Sequence, residues 1–195
     1  MAVDPGAEPV YPGTCRNDPE ARSGPHALRF AIPFDEEPVE FNDAFQGRVR
    51  QDCRREAGDF VVRRRDGQAA YHLAVVVDDD RQGVSEVVRG ADLLSSTPRQ
   101  ILLQRALGLA TPRYGHLPVL TEPDGQKLAK SRRSVPLAAR EAPWQLWRVL
   151  DWLEQAPPQE LKAAPVREIW AWAIPNWRPE RLYGRKERRL EGDAR

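Results

Sequence analysis

The loop Lys127-Leu128-Ala129-Lys130-Ser131 holds the residues best suited to chemistry. Its two lysines sit in a polar stretch just after Gly125, and both can reach one polyphosphate. Activation of a carboxylic acid with ATP passes through a pentavalent α-phosphate as pyrophosphate leaves. Ammonium groups that close on those oxygens stabilise charge that grows in the transition state. A lysine pair in a basic loop is common, so alone it carries little specificity. The basic residues around it are unevenly placed. Between Arg48 and Arg65 lie Arg50, Arg54, Arg55, Arg63 and Arg64, against only Asp52, Glu56 and Asp59. From Gln126 to Arg140 there are Lys127, Lys130, Arg132 and Arg133 and no acid, and the tail from Arg178 is again mostly basic. With a net charge of only +1, such patches suit selective phosphate contacts or plain solvated faces.

Composition bounds the class of protein. Hydrophobic residues make up 41%, charged residues 30%, and there are 18 prolines among 195 residues. That describes a globular chain with many turns, large enough for one domain with a core and a smaller appendage. No apolar run approaches a membrane span, and Met1-Ala2-Val3-Asp4-Pro5 lacks the basic-then-apolar start of a signal segment. Cys15 and Cys53 are too few for a disulfide framework. Together these predict a cytoplasmic protein. Cys53 reads as a structural or free thiol, and His26 as a surface histidine.

The elements that must position these groups follow from pattern. Residues 1–28 are rich in Pro and Gly and read as loop. Short strands are predicted at Leu28–Ile32, Val39–Phe41, Phe60–Val62 and Val84–Val88, with a turn at Arg65-Asp66-Gly67. Tyr71–Val77 is an apolar run that periodicity leaves open, and its β-branched Val75, Val76 and Val77 favour a strand. Thr97-Pro98-Arg99-Gln100 has the form of a capping box, the Thr97 hydroxyl accepting from Gln100, and opens a helix that stops near Gly108. A strand at Leu117–Leu120 leads into the loop with Pro123, Asp124 and Gly125. Strands alternating with a helix imply an α/β layer. Beyond Pro143, one helix carries Trp144, Trp147, Val149, Leu150 and Leu153. A second spans about Glu160–Ala173 and stops at Pro175. Tryptophans at helical spacing are more often core than base-stacking platforms, so Trp144, Trp147 and Trp170 are assigned to the core.

Several blocks, in order, resemble the glutamate- and glutamine-specific class I aminoacyl-tRNA synthetases. They are Ala70–Asp80, Gly83–Leu94, Arg99–Gln104, His116–Leu120 and the Lys127–Ser131 loop. The resemblance extends from about Tyr11 to beyond Ser134. It is nearest to a branch without an anticodon-binding domain, whose members activate glutamate with ATP and attach it to the queuosine base of the tRNA-Asp anticodon. It implies a fold: the second half of a Rossmann-type catalytic domain over residues 29–140, and a small α-helical region with a basic tail over 141–195. Residues 1–28 then hold the remnant of a zinc-binding module. The resemblance implies that Tyr71 and Arg89 contact glutamate, that Lys130 contacts ATP (with Mg2+), and that Tyr71–Asp79 is helical. A guanidinium just before Gly90 suits a carboxylate, because it can bind both oxygens and ligands sit at the carboxyl ends of strands in open α/β sheets.

Departures from the family are informative too. Ala129 replaces the usual Ser of the loop, removing one hydroxyl donor. Tyr11-Pro12-Gly13-Thr14-Cys15 resembles only the second part of the zinc module, and one phenol with one thiol, Tyr11 and Cys15, cannot close a tetrahedral Zn2+ site. Nothing before Tyr11 resembles the family's His-Ile-Gly-His-like ATP motif. The front half is therefore expected either as a separate amino-terminal partner chain or as sequence lost to a misplaced start codon or frameshift, and a half-sheet would expose apolar edges. Two other readings are a non-catalytic tRNA- or partner-binding module and a fragment of a true glutamyl-tRNA synthetase.

Overall fold

A computed structural model describes residues 10–16, 24–122, 124–125, 127 and 139–190 of the chain. Its strands are β1 (Leu28–Phe30), β2 (Val39–Asp43), β3 (Gly47–Gln51), β4 (Phe60–Arg63), β5 (Glu86–Gly90), β6 (Arg113–Leu117), β7 (Val119–Thr121) and β8 (Glu187–Arg189). Its α-helices are α1 (Cys53–Glu56), α2 (Tyr71–Arg81), α3 (Thr97–Leu107), α4 (Ala142–Trp152) and α5 (Val166–Asn176). One sheet has the order β3-β2-β6-β5; β1 pairs antiparallel with β4, and β7 pairs parallel with β8. The chain divides into two compact units, residues 1–42, 48–87 and 93–114 in one and residues 43–47, 88–92 and 115–195 in the other. Among the described residues no helix is long and apolar enough to cross a membrane.

In the first unit, helix α3 supplies the centre of the core. Ile101, Leu102 and Leu103 are each 3% exposed and pack with Ile32, Val39, Cys53, Phe60, Val76 and Tyr114. Gly108 ends the helix in the left-handed region at φ 67°, which costs glycine nothing, and Leu109 N–H closes back on the Gln104 carbonyl at 2.9 Å. Helix α2 corrects the strand favoured for Tyr71–Val77. Val76 is buried and Leu73, one turn before it, packs on the same core, so the run presents one helical face to α3. That packing outweighs the modest β-preference of three valines. The capping box at Thr97 is also corrected. A 3-10 turn, Ala91–Ser96, runs straight into α3, so Ser96 rather than Thr97 is the cap residue, already helical (φ −79°, ψ −27°), and its side chain makes no cap hydrogen bond. The buried Thr97 lies inside the helix, and its hydroxyl donates to the Leu93 carbonyl at 3.5 Å.

Proline shapes the second unit. The strand expected over Leu117–Leu120 is split into β6 and β7, because Pro118 between them has no N–H for a ladder. The helix expected over Glu160–Ala173 is likewise divided. A 3-10 turn, Gln159–Ala163, precedes Pro165, and α5 restarts after it. Pro175 lies inside the last turn of α5 rather than beyond it. Its missing N–H is tolerated there, and the Asn176 side chain donates to the Trp172 carbonyl at 2.8 Å. Leu150, Ile169 and Ala173 form the core of this helical region, with Trp147 buried and Trp144 half-buried. Trp170 is the exception to the core assignment, being 48% exposed. Ile169 and Ala173 occupy the inward i, i+4 positions with Trp172 packed beside them, and Trp170 points away.

Candidate active site

Arg89 is the penultimate residue of β5. Its Nε donates to Nε2 of His116 on β6 at 3.0 Å. The His116 ring is fully buried, and its Nδ1 lies 2.5 Å from Oδ2 of Asp43, at the end of β2. Asp43 Oδ1 accepts three backbone N–H groups, from Phe45 at 3.0 Å, Gln46 at 2.9 Å and His116 itself at 3.0 Å. Burial opposes the Asp43 charge. The bond from His116 and the backbone donors outweigh it, and the carboxyl is held below its ordinary range. Gln46 Nε2 donates to the His116 carbonyl at 2.8 Å. Gly115 lets the wrap close: a Cβ there would lie 2.9 Å from the Phe45 ring.

The neighbouring glycine has a similar reason. A Cβ on Gly90 would meet Asp92 Oδ1 at 2.4 Å, so only glycine lets that carboxylate fold back over the strand end. Asp92 in turn pairs with the Lys127 ammonium at 3.1 Å, and Lys127 bridges to Thr121 through its backbone. Arg89 and Lys127 thus lie in the same unit, with the Arg89 Nε tied to His116. Leu128, Ala129, Lys130 and Ser131 lie outside the described residues.

Tyr71 belongs to the first unit, where it opens α2 and is half exposed. It borders a cleft of about 760 Å³ whose lining includes Tyr11, Arg29, Asp59, His72 and Arg99. The Arg29 guanidinium stacks 3.9 Å over the Tyr11 ring, and Tyr71 meets His72 edge-on at 5.4 Å. Arg16 clamps Asp59 from Nε at 2.6 Å, and the Ile32 amide donates to the same carboxylate at 3.0 Å. The bond from Arg16 is the main reason the Asp59 carboxyl is held below its ordinary range. Walls of tyrosine and arginine suit a ligand that joins a flat or apolar body to an anionic group.

Tyr11 and Cys15 do come together, but through the phenol oxygen accepting the Cys15 N–H at 2.9 Å. Among the described residues no group of three or more His, Cys, Asp or Glu is placed to hold a metal ion. The pair supplies two donors where zinc takes four, so these residues do not fit a closed zinc site. His26 is exposed, as expected, and Cys53 is a buried free thiol.

Sequence reasoning missed Asp43, Gln46 and His116 as site residues. His116 stood within a family-like block, yet nothing in the sequence ties it to an aspartate 73 positions earlier.

Residues 11–143 match the family of class I tRNA synthetases for E and Q, catalytic domain. The chain belongs to this family. It is 52% identical over 168 residues to the glutamyl-Q tRNA(Asp) synthetase of Pseudomonas fluorescens, covering 86% of this chain and 55% of that protein. The protein of the same name in Pseudomonas aeruginosa is 51% identical over 173 residues, covering 89% and 58%. The chain therefore spans little more than half the length of these relatives. The crystal structure of a glutamate tRNA ligase from Elizabethkingia meningosepticum, in complex with its amino acid, superposes with a TM-score of 0.63 at 21% identity over 87% of this chain and 37% of that one. A glutamate-tRNA synthetase from Elizabethkingia anophelis gives the same values. These likenesses agree with the α/β reading: the fold is that of part of a class I synthetase catalytic domain.

Proposed function

We propose that this chain carries the glutamate- and polyphosphate-facing part of a synthetase that activates glutamate with ATP and transfers it to the queuosine base of tRNA-Asp. The rest of the catalytic domain, with its ATP motif, would come from chain outside these residues. The observation that carries the reading is Arg89, a guanidinium held at the carboxyl end of a strand by a buried histidine, in a chain half identical to glutamyl-Q synthetases. Arg89 is the proposed partner of a glutamate carboxylate, and Tyr71 a second glutamate contact. Lys127, with Leu128, Ala129, Lys130 and Ser131, is the proposed ATP loop, Lys130 meeting the phosphates as charge builds on them and Mg2+ sharing that task. Two named relatives and the ordered sequence blocks support the choice of queuosine over the acceptor end of tRNA.

The test uses the chain fused to the part of the Pseudomonas aeruginosa relative that the match does not cover. Glutamate-dependent exchange of labelled pyrophosphate into ATP is expected, abolished by chelating Mg2+. Arg89→Lys should lower kcat/KM for glutamate about ten- to a hundredfold, the range for losing charge-assisted hydrogen bonds. Lys130→Ala should lower kcat about a hundredfold or more. Labelled glutamate should pass to tRNA-Asp with queuosine and not to the same tRNA with guanosine in its place. Absence of exchange in the fusion, or full exchange in both variants, would refute the reading.

A further inference from the structure

We infer that Asp43 and His116 are positioning residues that fix the guanidinium of Arg89 for carboxylate recognition. The inference rests on the role just proposed for Arg89, but its geometry stands by itself. An arginine Nε–H can only donate, so His116 Nε2, 3.0 Å away, must accept. The ring is then neutral with its proton on Nδ1, and that proton faces Asp43 Oδ2 at 2.5 Å. A protonated imidazolium would set two N–H groups against each other at Nε2. The tautomer is thus chosen by Asp43, much as a carboxylate orients the histidine of a hydrolytic triad, though here the histidine takes no proton from a substrate.

Asp43 is itself immobilised. Its other oxygen accepts three backbone N–H groups in the turn after β2 and on β6, and the ring it holds is fully buried. A long arginine side chain normally carries several soft torsions. Anchoring its Nε to a rigid buried acceptor removes much of that freedom before any ligand arrives, and carboxylate recognition then falls to the Nη groups. Binding a small anion through a pre-set fork loses less entropy than binding through a mobile one. The consequence belongs to glutamate affinity and leaves ATP untouched.

Two measurements test this. In 15N spectra of the chain itself, the His116 ring should show a protonated Nδ1 and an unprotonated, hydrogen-bonded Nε2, and the Arg89 Nε–H should exchange slowly. His116→Phe should release the Arg89 Nε–H to fast exchange, whereas His116→Gln, whose amide oxygen can accept the same bond, should keep part of the protection. A ring protonated on Nε2 in the unmodified chain overturns the inference without any variant having to fold. In the fusion, His116→Phe should raise the glutamate KM about tenfold or more with the ATP KM unchanged, and His116→Gln should restore most of the difference. Equal loss in both variants, or a parallel rise in the ATP KM, would reduce the pair to a structural role. If the fusion shows no exchange at all, the synthetase reading fails, and the 15N spectra still decide the positioning claim.

Discussion

At the scale of single residues, the two thiols differ for physical reasons that a titration can read. Cys15 is exposed and Cys53 is buried. Burial is the main force pushing the Cys53 thiol up to about 12, with Glu56, Asp52 and Glu36 adding to it against the lowering effect of Arg99. A thiol that does not ionise near neutrality is a poor nucleophile. A disulfide reagent at pH 8 should therefore modify Cys15 promptly and Cys53 only when the first unit opens. Stoichiometric labelling should give one fast thiol in native buffer and two in denaturant. Two fast thiols in native buffer would contradict the packing of Cys53 against Phe60 and the α3 leucines. The same scale explains Arg89. A charged residue at a strand end becomes specific only when its hydrogen-bond partner is known, here His116.

At the scale of elements, two glycines separate conformational strain from steric conflict. Gly108 ends α3 at φ 67° with nothing near the place a Cβ would take. Gly58 has φ 65°, and a Cβ there would lie 2.7 Å from the Tyr11 carbonyl oxygen in the bridge that joins Tyr11 to Gly58. Gly108→Ala should cost only the left-handed strain, about 1 kcal/mol. Gly58→Ala should cost clearly more, because the Tyr11 backbone has to shift as well, and it should disturb the wall where Arg29 stacks on Tyr11. Chemical denaturation of the two variants side by side checks the order; equal costs would remove the steric argument. The proline boundaries belong here also. Pro118 and Pro165 each interrupt an element that hydrophobic pattern alone would have continued.

For the whole molecule, acid is the informative perturbation. Asp59 in the first unit and Asp43 in the second each have a carboxyl held below its ordinary range. The unfolded chain then binds protons more readily than the native one, so both carboxylates favour folding above the unfolded value of about 3.9. That contribution is lost as pH falls through the lower native values. Stability from denaturant unfolding should stay nearly level from pH 7 to pH 5 and drop steeply below about pH 4. Asp59→Asn should be less stable at pH 7 and lose less on acidification, since the Arg16 and Ile32 partners no longer hold a charge. A flat profile between pH 5 and pH 3 in the unmodified chain would show that these carboxylates are not coupled to folding.

The sequence by itself determined the family, the order of the main elements, the glycine stop of α3 and the place of Arg89 at a strand end. Those features depend on local pattern, turn chemistry and ordered motifs, which short-range physics writes directly into the chain. Tertiary structure decided the rest. Local pattern leaves Tyr71–Val77 open and only the family resemblance implies its helix; the physical reason is that Leu73 and Val76 pack on the core around α3, a partner more than twenty residues away that no window of sequence contains. Trp170 left the core because Ile169 and Ala173 took the inward face of α5. Most of all, the tie from Arg89 to His116 to Asp43 joins three strands through buried hydrogen bonds. Each of those residues is ordinary in its own segment, and only the fold, by excluding water around them, makes one rigid device of the three.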